Sequence, residues 1–393
     1  MIHTTLAKIG STRRYLLVCI ALAAPLLAHA GIDRLDNPAY LAPKASGAMM
    51  VDVVRAGNRV VAVGEHGIIL YSDTNGKTWR QAAVPVSVTL TAVYFPMPKK
   101  GWAVGHDGVI LRSEDGGGHW TKQFDGNTAN ALVLAAARKR ERDARDAKHA
   151  RTASSEEAGG QPVTALQNAE RALEDAQAGA KFGPSRPLFD VWFKDESEGI
   201  AVGSFGQLFH TADGGRTWAL WGERIANPDG LHLNAISATA KGTLLIAGEA
   251  GKVFRSADGG ASWTTLDTGY AGQLYGVLGI DEGGGRETLI AFGFGGNVFR
   301  LTGGSSSWRR VSVEEKKPVV SGRMLADGRI ALLTYDGRIL LGDERGQSFR
   351  PATRDAGMSV AAFTLIDNGA FIVAGEKGIR IVSMNNTIKT RQP

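Results

Sequence analysis

Cysteine is nearly missing from this 393-residue chain. Cys19 is the only one, so beyond it no disulfide can staple the fold, which must hold by strand ladders and packing. Long apolar runs are missing too. The one stretch that comes near, Tyr15 to Leu27, is short for a bilayer, and no other segment approaches the roughly 18 apolar residues of a membrane helix. There is no Gly-x-Ser-x-Gly elbow, no His-Glu-x-x-His and no phosphate-binding glycine loop, which removes most motif-borne enzyme readings. Excess charge is small: the formal +6 falls to +3 without residues 1–30, which hold three basic and no acidic side chains. No basic stripe with interleaved aromatics is present, so nucleic acid is not an expected partner.

Those first thirty residues read as a targeting segment. Lys8, Arg13 and Arg14 precede the apolar stretch, and Ala28-His29-Ala30 offers the small residues a signal peptidase needs. Export to a periplasm, with the mature chain starting at Gly31, is expected. Arg13-Arg14 followed by Leu16-Leu17 is a partial twin-arginine match, and Leu16-Leu17-Val18 before Cys19 is a poor lipoprotein signal.

What is present is a phrase repeated seven times: a hydrophobic strand, a Gly-x-x-Gly turn and a second strand. The turns begin at Gly64, Gly105, Gly203, Gly248, Gly293, Thr334 and Gly375, with steps of 41, 98, 45, 45, 41 and 41 residues. The single long step is one period carrying an insertion of about 55 residues. Repeats of about 40 to 50 residues with several short strands each are the mark of propeller blades, because one four-stranded blade cannot bury both faces until neighbours stack on it. The expected fold is all-β, a seven-bladed propeller over residues 31–393, with a helical hairpin inserted between blades 2 and 3. Closure is expected from pairing of Ile32 to Tyr40, or Met49 to Val54, with a last blade whose outer strand is missing or degenerate after Ser383. A monomer is expected.

The best repeats close with Ser-x-Asp-x-Gly-x-x-Trp. Thr211-Ala-Asp213-Gly-Gly215-Arg-Thr217-Trp218 is a full copy; Ser256 to Trp263 around Asp258 and Ser113 to Trp120 around Asp115 are near copies. The first unit places Thr74 where the acid belongs, and later units decay to Gly303 to Trp308 and Gly346 to Phe349. This phrase resembles the Asp-box of BNR-repeat propellers, a family that includes sialidases and non-enzymatic proteins. Catalysis or calcium is one reading of the acids. The physically cheaper reading is structural: a short carboxylate beside Gly accepts N–H bonds in its own turn while the Trp packs between blades. These turns belong on the rim opposite the Gly-x-x-Gly turns. A sialidase would also need a spaced arginine triad and a Tyr–Glu pair, and its early Arg-Ile-Pro signature is not in this chain. The sequence cannot place the two facing carboxylates of a glycosidase.

The insertion, residues 125–187, shifts to Ala, Arg, Glu and Asp, with helices expected over Ala131–Arg151 and Val163–Ala180. Its ten basic and nine acidic side chains give no membrane-surface anchor. A mobile hairpin is one reading and a docking arm the other. Chain geometry puts its root on the same face as the Gly-x-x-Gly turns, which present Glu65, His66, His106, Asp107, Glu249, Tyr335, Asp336, Glu376 and Lys377. Loops on a rigid scaffold are where binding usually lives, so this is the first candidate face. His66 and His106 with Glu65 and Asp107 have no metal-ligand spacing, and no metal or cofactor is expected. A second constellation is Arg112, Arg255 and Arg300, at one third-strand position in units 2, 4 and 5, with Tyr71, His210, Leu341 and Val382 in the others. An arc of guanidinium groups suits an acidic partner; pairing with a neighbouring Asp-box carboxylate is the structural alternative.

Units such as Leu90-Thr-Ala-Val-Tyr-Phe with Gly101-Trp-Ala-Val-Gly-His-Asp-Gly, and Leu188-Phe-Asp-Val-Trp-Phe with Gly199-Ile-Ala-Val-Gly-Ser-Phe-Gly, resemble those of the photosystem II stability/assembly factor family, exported seven-bladed propellers of the thylakoid lumen and their bacterial homologues. The resemblance covers residues 48 to 384 apart from the insertion. It implies a non-enzymatic assembly factor that holds newly made membrane subunits on an arginine-bearing surface, for which Arg112, Arg255 and Arg300 are the candidates. The insertion and the bacterial-type signal segment depart from the plant pattern and put the photosystem itself in doubt as the partner, since the same propeller could serve another inner-membrane complex such as a transporter. A carbohydrate-binding or glycosidase-like BNR protein is the alternative.

Overall fold

The computed structural model describes residues 33–153, 161–313, 316–367 and 369–384. The expected signal segment and the Ser154–Gly160 link between the helices lie outside them. Arg34 onward forms one compact unit. It holds seven antiparallel sheets in sequence order, six of four strands and the last of three. Blade 1 is Met50–Ala56, Arg59–Gly64, Ile69–Ser72 and Arg80–Gln81, and blade 7 is Val360–Leu365, Phe371–Gly375 and Gly378–Val382. Each inner strand lies against the next, and that of blade 7 lies against that of blade 1, which closes the ring. The seven-bladed propeller read from the repeats is the observed fold.

Second strands such as Gly101–Gly105 and Ile330–Thr334 are buried at every position. That explains their unbroken apolar sequences, since both faces meet a neighbouring blade. Trp102 of blade 2 stacks on Phe193 of blade 3 with centroids 3.6 Å apart. Such aromatic pairs add about 0.5–1.5 kcal/mol beyond their buried area.

The inner strands are also stitched together by side chains. Asp52 accepts the N–H of Val93 in blade 2 (2.9 Å), Thr91 donates to the carbonyl of Leu188 in blade 3 (2.7 Å), and Asp190 accepts the N–H of Ile236 in blade 4 (2.9 Å). Asn234 and Ser237 continue the series to the carbonyls of Leu274 and Val277 in blade 5.

Closure differs from the expected strand pairing. Met50–Ala56 is the innermost strand of blade 1, and no described N-terminal residue joins the sheet of blade 7. The arm turns to blade 1 instead, because its bonding groups find partners there: Ala39 N–H donates to Val84, Ser87 N–H to the carbonyl of Arg34, and Gln81 Nε2 to that of Tyr40. Leu35 is buried beneath it among Val84, Val86 and Trp120. The first blade strand is Met50–Ala56, and the arm precedes it. Arg323 of blade 6 closes the seam: its guanidinium donates to the carbonyl of Phe363 in blade 7 (3.4 Å) and, in blade 1, to Asp52 Oδ1 and the carbonyl of Val53 (3.3 Å each). On the rim with the Asp-boxes, Arg55 pairs with Asp367 at 2.9 Å, and Asn75 donates to the same carboxylate.

Breaking a fully buried pair costs about 3–5 kcal/mol, and partial solvent access at Arg323 reduces that. Arg323→Met is expected to lower unfolding stability by about 1–3 kcal/mol in urea titration. The double variant with Asp52→Asn should lose less than the sum of the single losses, since both break one interaction. Strict additivity would show that the seam does not depend on this pair.

Candidate interaction surfaces

The Gly-x-x-Gly turns form one face of the ring, and their geometry explains the residues they use. Gly64 has an extended backbone, but a Cβ there would stand 2.1 Å from the carbonyl oxygen of Met49, so close approach and not φ excludes a side chain. The fourth position, Gly67, sits at φ 71°, and the third is left-handed as well, at φ 53° for His66, 56° for Asp107 and 54° for Phe205. Where the second residue is Glu, it has structural work. Glu65, Glu249 and Glu376 each accept the backbone N–H just before or near the start of the inner strand, from Met49, His232 and Ser359 at 2.9, 2.8 and 3.4 Å.

The ring of polar turn residues is therefore partly consumed by the fold. Asp107 is paired with Arg34 of the arm (3.1 Å), Asp336 accepts from Thr334 (2.6 Å), and Lys377 lies 3.7 Å from Glu376. His66 and His106 are exposed on separate blades. Among the described residues, no group of three or more His, Cys, Asp or Glu is placed to hold a metal. What the face presents most openly is aromatic: Phe205, Phe294 and Tyr335 at the turn tips are each about half exposed or more, and Tyr40 of the arm more still. Sequence reasoning singled out Tyr335 alone. Phe205 and Phe294 occupy the same turns in units 3 and 5, so the repeat alignment held that signal.

The insertion rises from this face as two long helices, α1 (Gly126–Ala153) and α2 (Gln161–Phe182), each longer than its apolar pattern indicated. Asp125 caps α1, accepting the N–H groups of Asn127 and Thr128 at 3.1 and 3.2 Å. Gly126 is pressed against the carbonyl of Asp107, where a Cβ would come within 2.6 Å. At the return, Asn130 donates to the carbonyl of Gly183 (3.1 Å), and the Arg186 guanidinium lies over the Phe205 ring at 5.3 Å. Arg140 of α1 pairs with Glu223 beyond blade 3 at 3.2 Å. The hairpin is thus anchored across blades 2 and 3. No helix among the described residues is long and apolar enough to cross a membrane.

The channel on the axis encloses about 350 Å³. Every inner strand carries an irregularity one residue after its start, and the bulged residues, Thr91, Phe189, Asn234 and Tyr275 among them, line the mouth. Deeper lie Asp52 and Asp190. Each carboxylate accepts two backbone N–H groups, Asp52 from Val53 and Val93, Asp190 from Val191 and Ile236. Desolvation, with the nearby Asp52 charge adding to it against these hydrogen bonds and Arg323, pushes Asp190 up to about 7.

On the opposite rim, the Asp-boxes are turns stitched by their own carboxylates. Asp115 accepts from Ser113 Oγ, from the N–H groups of Gly118 and His119, and meets the His119 ring at 2.6 Å. Asp213 and Asp258 repeat the pattern with Thr217 and Ser262. Desolvation opposes ionisation of Asp115 and Asp213, yet these hydrogen bonds outweigh it and hold both at about 2; the Ser262 hydroxyl leads the same effect at Asp258, also about 2. Thr74 substitutes for the acid in blade 1, its hydroxyl meeting that of Thr78 at 2.8 Å and accepting the Thr78 N–H at 2.9 Å. In blade 6 the acid stands one residue early, as Asp343, and still accepts the Gln347 N–H and the Ser348 hydroxyl. Trp120, Trp218 and Trp263 sit in the hydrophobic clusters between blades.

The three arginines lie on third strands, toward this box-bearing rim and away from the Gly-x-x-Gly turns. Arg112 pairs with Glu114 at 2.9 Å, with its guanidinium 5.6 Å from the Trp102 ring centre. Arg300 donates to the carbonyl of Arg345 in blade 6 (2.9 Å) and to Thr302. Both are largely covered. Arg255 is the more open, 3.7 Å from Glu287 of blade 5. Their carboxylate partners are thus glutamates, not the box aspartates, and two of the three point into blade contacts rather than forming an open arc. In blade 7 the equivalent position is Ile381, not Val382, because Gly375 pairs directly with Gly378 and shortens the hairpin by one residue.

Asp-box turns on a ring of seven repeated blades define a BNR-repeat β-propeller. The family model described as photosynthesis system II assembly factor YCF48 matches residues 71–135 and 179–309, and the chain is a YCF48-like member of that class. Among solved structures, "YCF48 bound to D1 peptide" is similar at 14% identity with TM-score 0.56, over 86% of this chain and 94% of that one. YCF48 from Cyanidioschyzon merolae gives 14%, 0.55, 87% and 97%. The WD40 β-propeller domain of Doa1 gives 13%, 0.55, 90% and 98%, and all three are likenesses of fold alone. No curated protein matches the chain significantly.

The two sets of carboxylates have opposite pH consequences. A folded pKa near 2 contributes stability that is full above the unfolded value of about 4 and is lost as pH falls toward 2. A folded value raised to about 7, as at Asp190, lowers stability as pH rises from about 4 to 7. The stability difference between the parent and Asp190→Asn, from urea midpoints, is therefore expected to fall over pH 4–7 and to be flat above. A pH-independent difference would remove this assignment.

Proposed function

We propose that this protein is an exported, non-enzymatic assembly or stability factor that holds a membrane-protein client, with the Gly-x-x-Gly face and the α1–α2 hairpin as its client-binding side. The observation that carries the reading is the pairing of a YCF48-type propeller with a face that presents open aromatic side chains. A relative of the same fold is known bound to a D1 peptide, which supports a membrane-protein segment as the kind of client. The targeting segment read from residues 1–30 supports action on the exported side of the membrane. The carboxylates of the boxes and the channel are committed to backbone N–H groups, which argues against general acid–base work. The hairpin extends the client-binding side beyond the ring, where a long loop of a rigid scaffold commonly serves recognition.

Affinity capture from detergent-solubilised membranes tests this. The intact protein is expected to recover a defined membrane complex, and removal of residues 126–182 or the pair Phe205→Ser with Tyr335→Ser to reduce recovery at least about tenfold, which corresponds to about 1.4 kcal/mol. Recovery of no membrane protein, together with glycan binding on an array, would overturn the reading in favour of a carbohydrate-binding propeller.

A further inference from the structure

Six blades end in a fourth strand, and blade 7, among the described residues, does not. Its third strand, Gly378–Val382, is an open sheet edge. The sister blades show what such an edge carries. In blade 1 the fourth strand pairs Leu70 with Gln81 and Tyr71 with Arg80; in blade 4 it pairs Phe254 with Thr265 and Arg255 with Thr264. The first of these positions is apolar and at most 8% exposed in all six blades. Its counterpart in blade 7 is Arg380, which is exposed, and the second is Ile381, 45% exposed. Met384 beyond it is also open.

The segment that would ordinarily fill this slot goes elsewhere. The backbone of Ser46–Gly47 lies against Gly378, as that of Val86 lies against Gly67 and that of Tyr270 against Gly251, where the chain leaves a fourth strand. Residues 34–42, which would have to precede it along blade 7, run beside Gln81 and Val84 of blade 1. The described chain therefore covers the end of the edge and leaves the pairing positions bare.

We propose that blade 7 accepts an extended segment of another polypeptide as its fourth strand, running antiparallel to Gly378–Val382. Main-chain bonds to an open edge supply affinity in such strand addition, and alternate side chains supply selectivity. Sister fourth strands of two to four residues set the length, and their buried Phe124, Val311 and Phe349 show that one apolar side chain turns inward. Arg380 adds a charge requirement that the sister positions lack. Its Nη1 donates to the carbonyl of Ala356 at 2.6 Å, which holds the guanidinium beside the slot. A carboxylate directly opposite forms a favourable cross-strand pair. The occupant is thus an acidic, partly apolar extended segment. This edge lies on the outside of the ring, so the proposal goes beyond the client reading and does not rest on it.

The test uses the full chain, isotope-labelled, and the peptide acetyl-Trp-Thr-Glu-Leu-Asp-Thr-amide, which follows the fourth strand of blade 4 with an acid opposite Arg380. Saturable shifts and slowed hydrogen exchange are expected at the amides of Ile379 to Ser383. N-methylation of the two peptide amides that face the edge should weaken binding about tenfold, as loss of paired backbone bonds requires. Arg380→Glu, a surface change, should weaken the acidic peptide and favour the version with Lys in place of Glu. Three results would overturn the proposal: no saturable shift, shifts confined to the Gly-x-x-Gly face, or amides protected in the free chain that become exposed on truncation after Met384. The last would mean that residues 385–393 fill the slot themselves.

Discussion

A ring of seven sheets must be closed, and here the inner strands of blades 7 and 1 meet beneath a guanidinium that reaches across a blade. Arg323 spans from blade 6 over the backbone of blade 7 to Asp52 in blade 1, at a point where no strand is shared and no disulfide is available. Asp52 in turn holds the N–H of Val93, so the pair connects the seam to the chain of stitches running through blades 2 to 5. The apolar cluster of Val53, Ala62 and Leu70 with Ile372 and Ala374 supplies the non-directional part of the closure. The polar part fixes which inner strand faces which. A buried charge left alone is costly, and that cost makes the partnered register distinct from its neighbours.

The two rims divide their labour by chemistry. On the box side, carboxylates and hydroxyls face inward to their own turns, and cross-blade ion pairs finish the surface. On the other, glycine lets the turn lie against the neighbouring carbonyl, glutamate caps the inner strand, and Phe205, Phe294 and Tyr335, at second or third turn positions, are left open. Binding capacity follows from what the turn does not consume. The helical hairpin is rooted beside the aromatic cluster of Phe205, His232 and Phe189, with Arg186 over the Phe205 ring.

Much of this was legible in the residues. Repeat spacing gave the blade count, because each period carries the same buried second strand, and the Gly-Asp-rich phrases marked the box turns. The insertion and its face followed from chain order alone. Other features were not legible because they depend on partners distant in sequence. The use of Glu65, Glu249 and Glu376 as strand caps, and of Arg112 and Arg300 between blades, arises from groups that converge only when the ring forms. Closure was misjudged for the same reason: the arm's partners, Gln81, Val84 and Ser87 beside blade 1 and Asp107 and Lys122 of blade 2, lie far from it in sequence. The one-residue shortening at Gly375–Gly378 is a backbone detail that leaves the Gly-x-x-Gly spacing unchanged, and it moved the expected equivalence from Ile381 to Val382.

The seam also sets an order of events during synthesis. Asp52 and Arg323 are 271 residues apart, so at ordinary elongation rates blade 1 exists for on the order of tens of seconds before its closing partner has been made. During that interval one flank of blade 1 has no neighbour. The arm, which binds blade 1 through Val84, Ser87 and Gln81 and pins Leu35 beneath it, needs only residues that have already emerged. Its bonds to Val84, Ser87 and Gln81 can therefore form before Arg323 reaches Asp52.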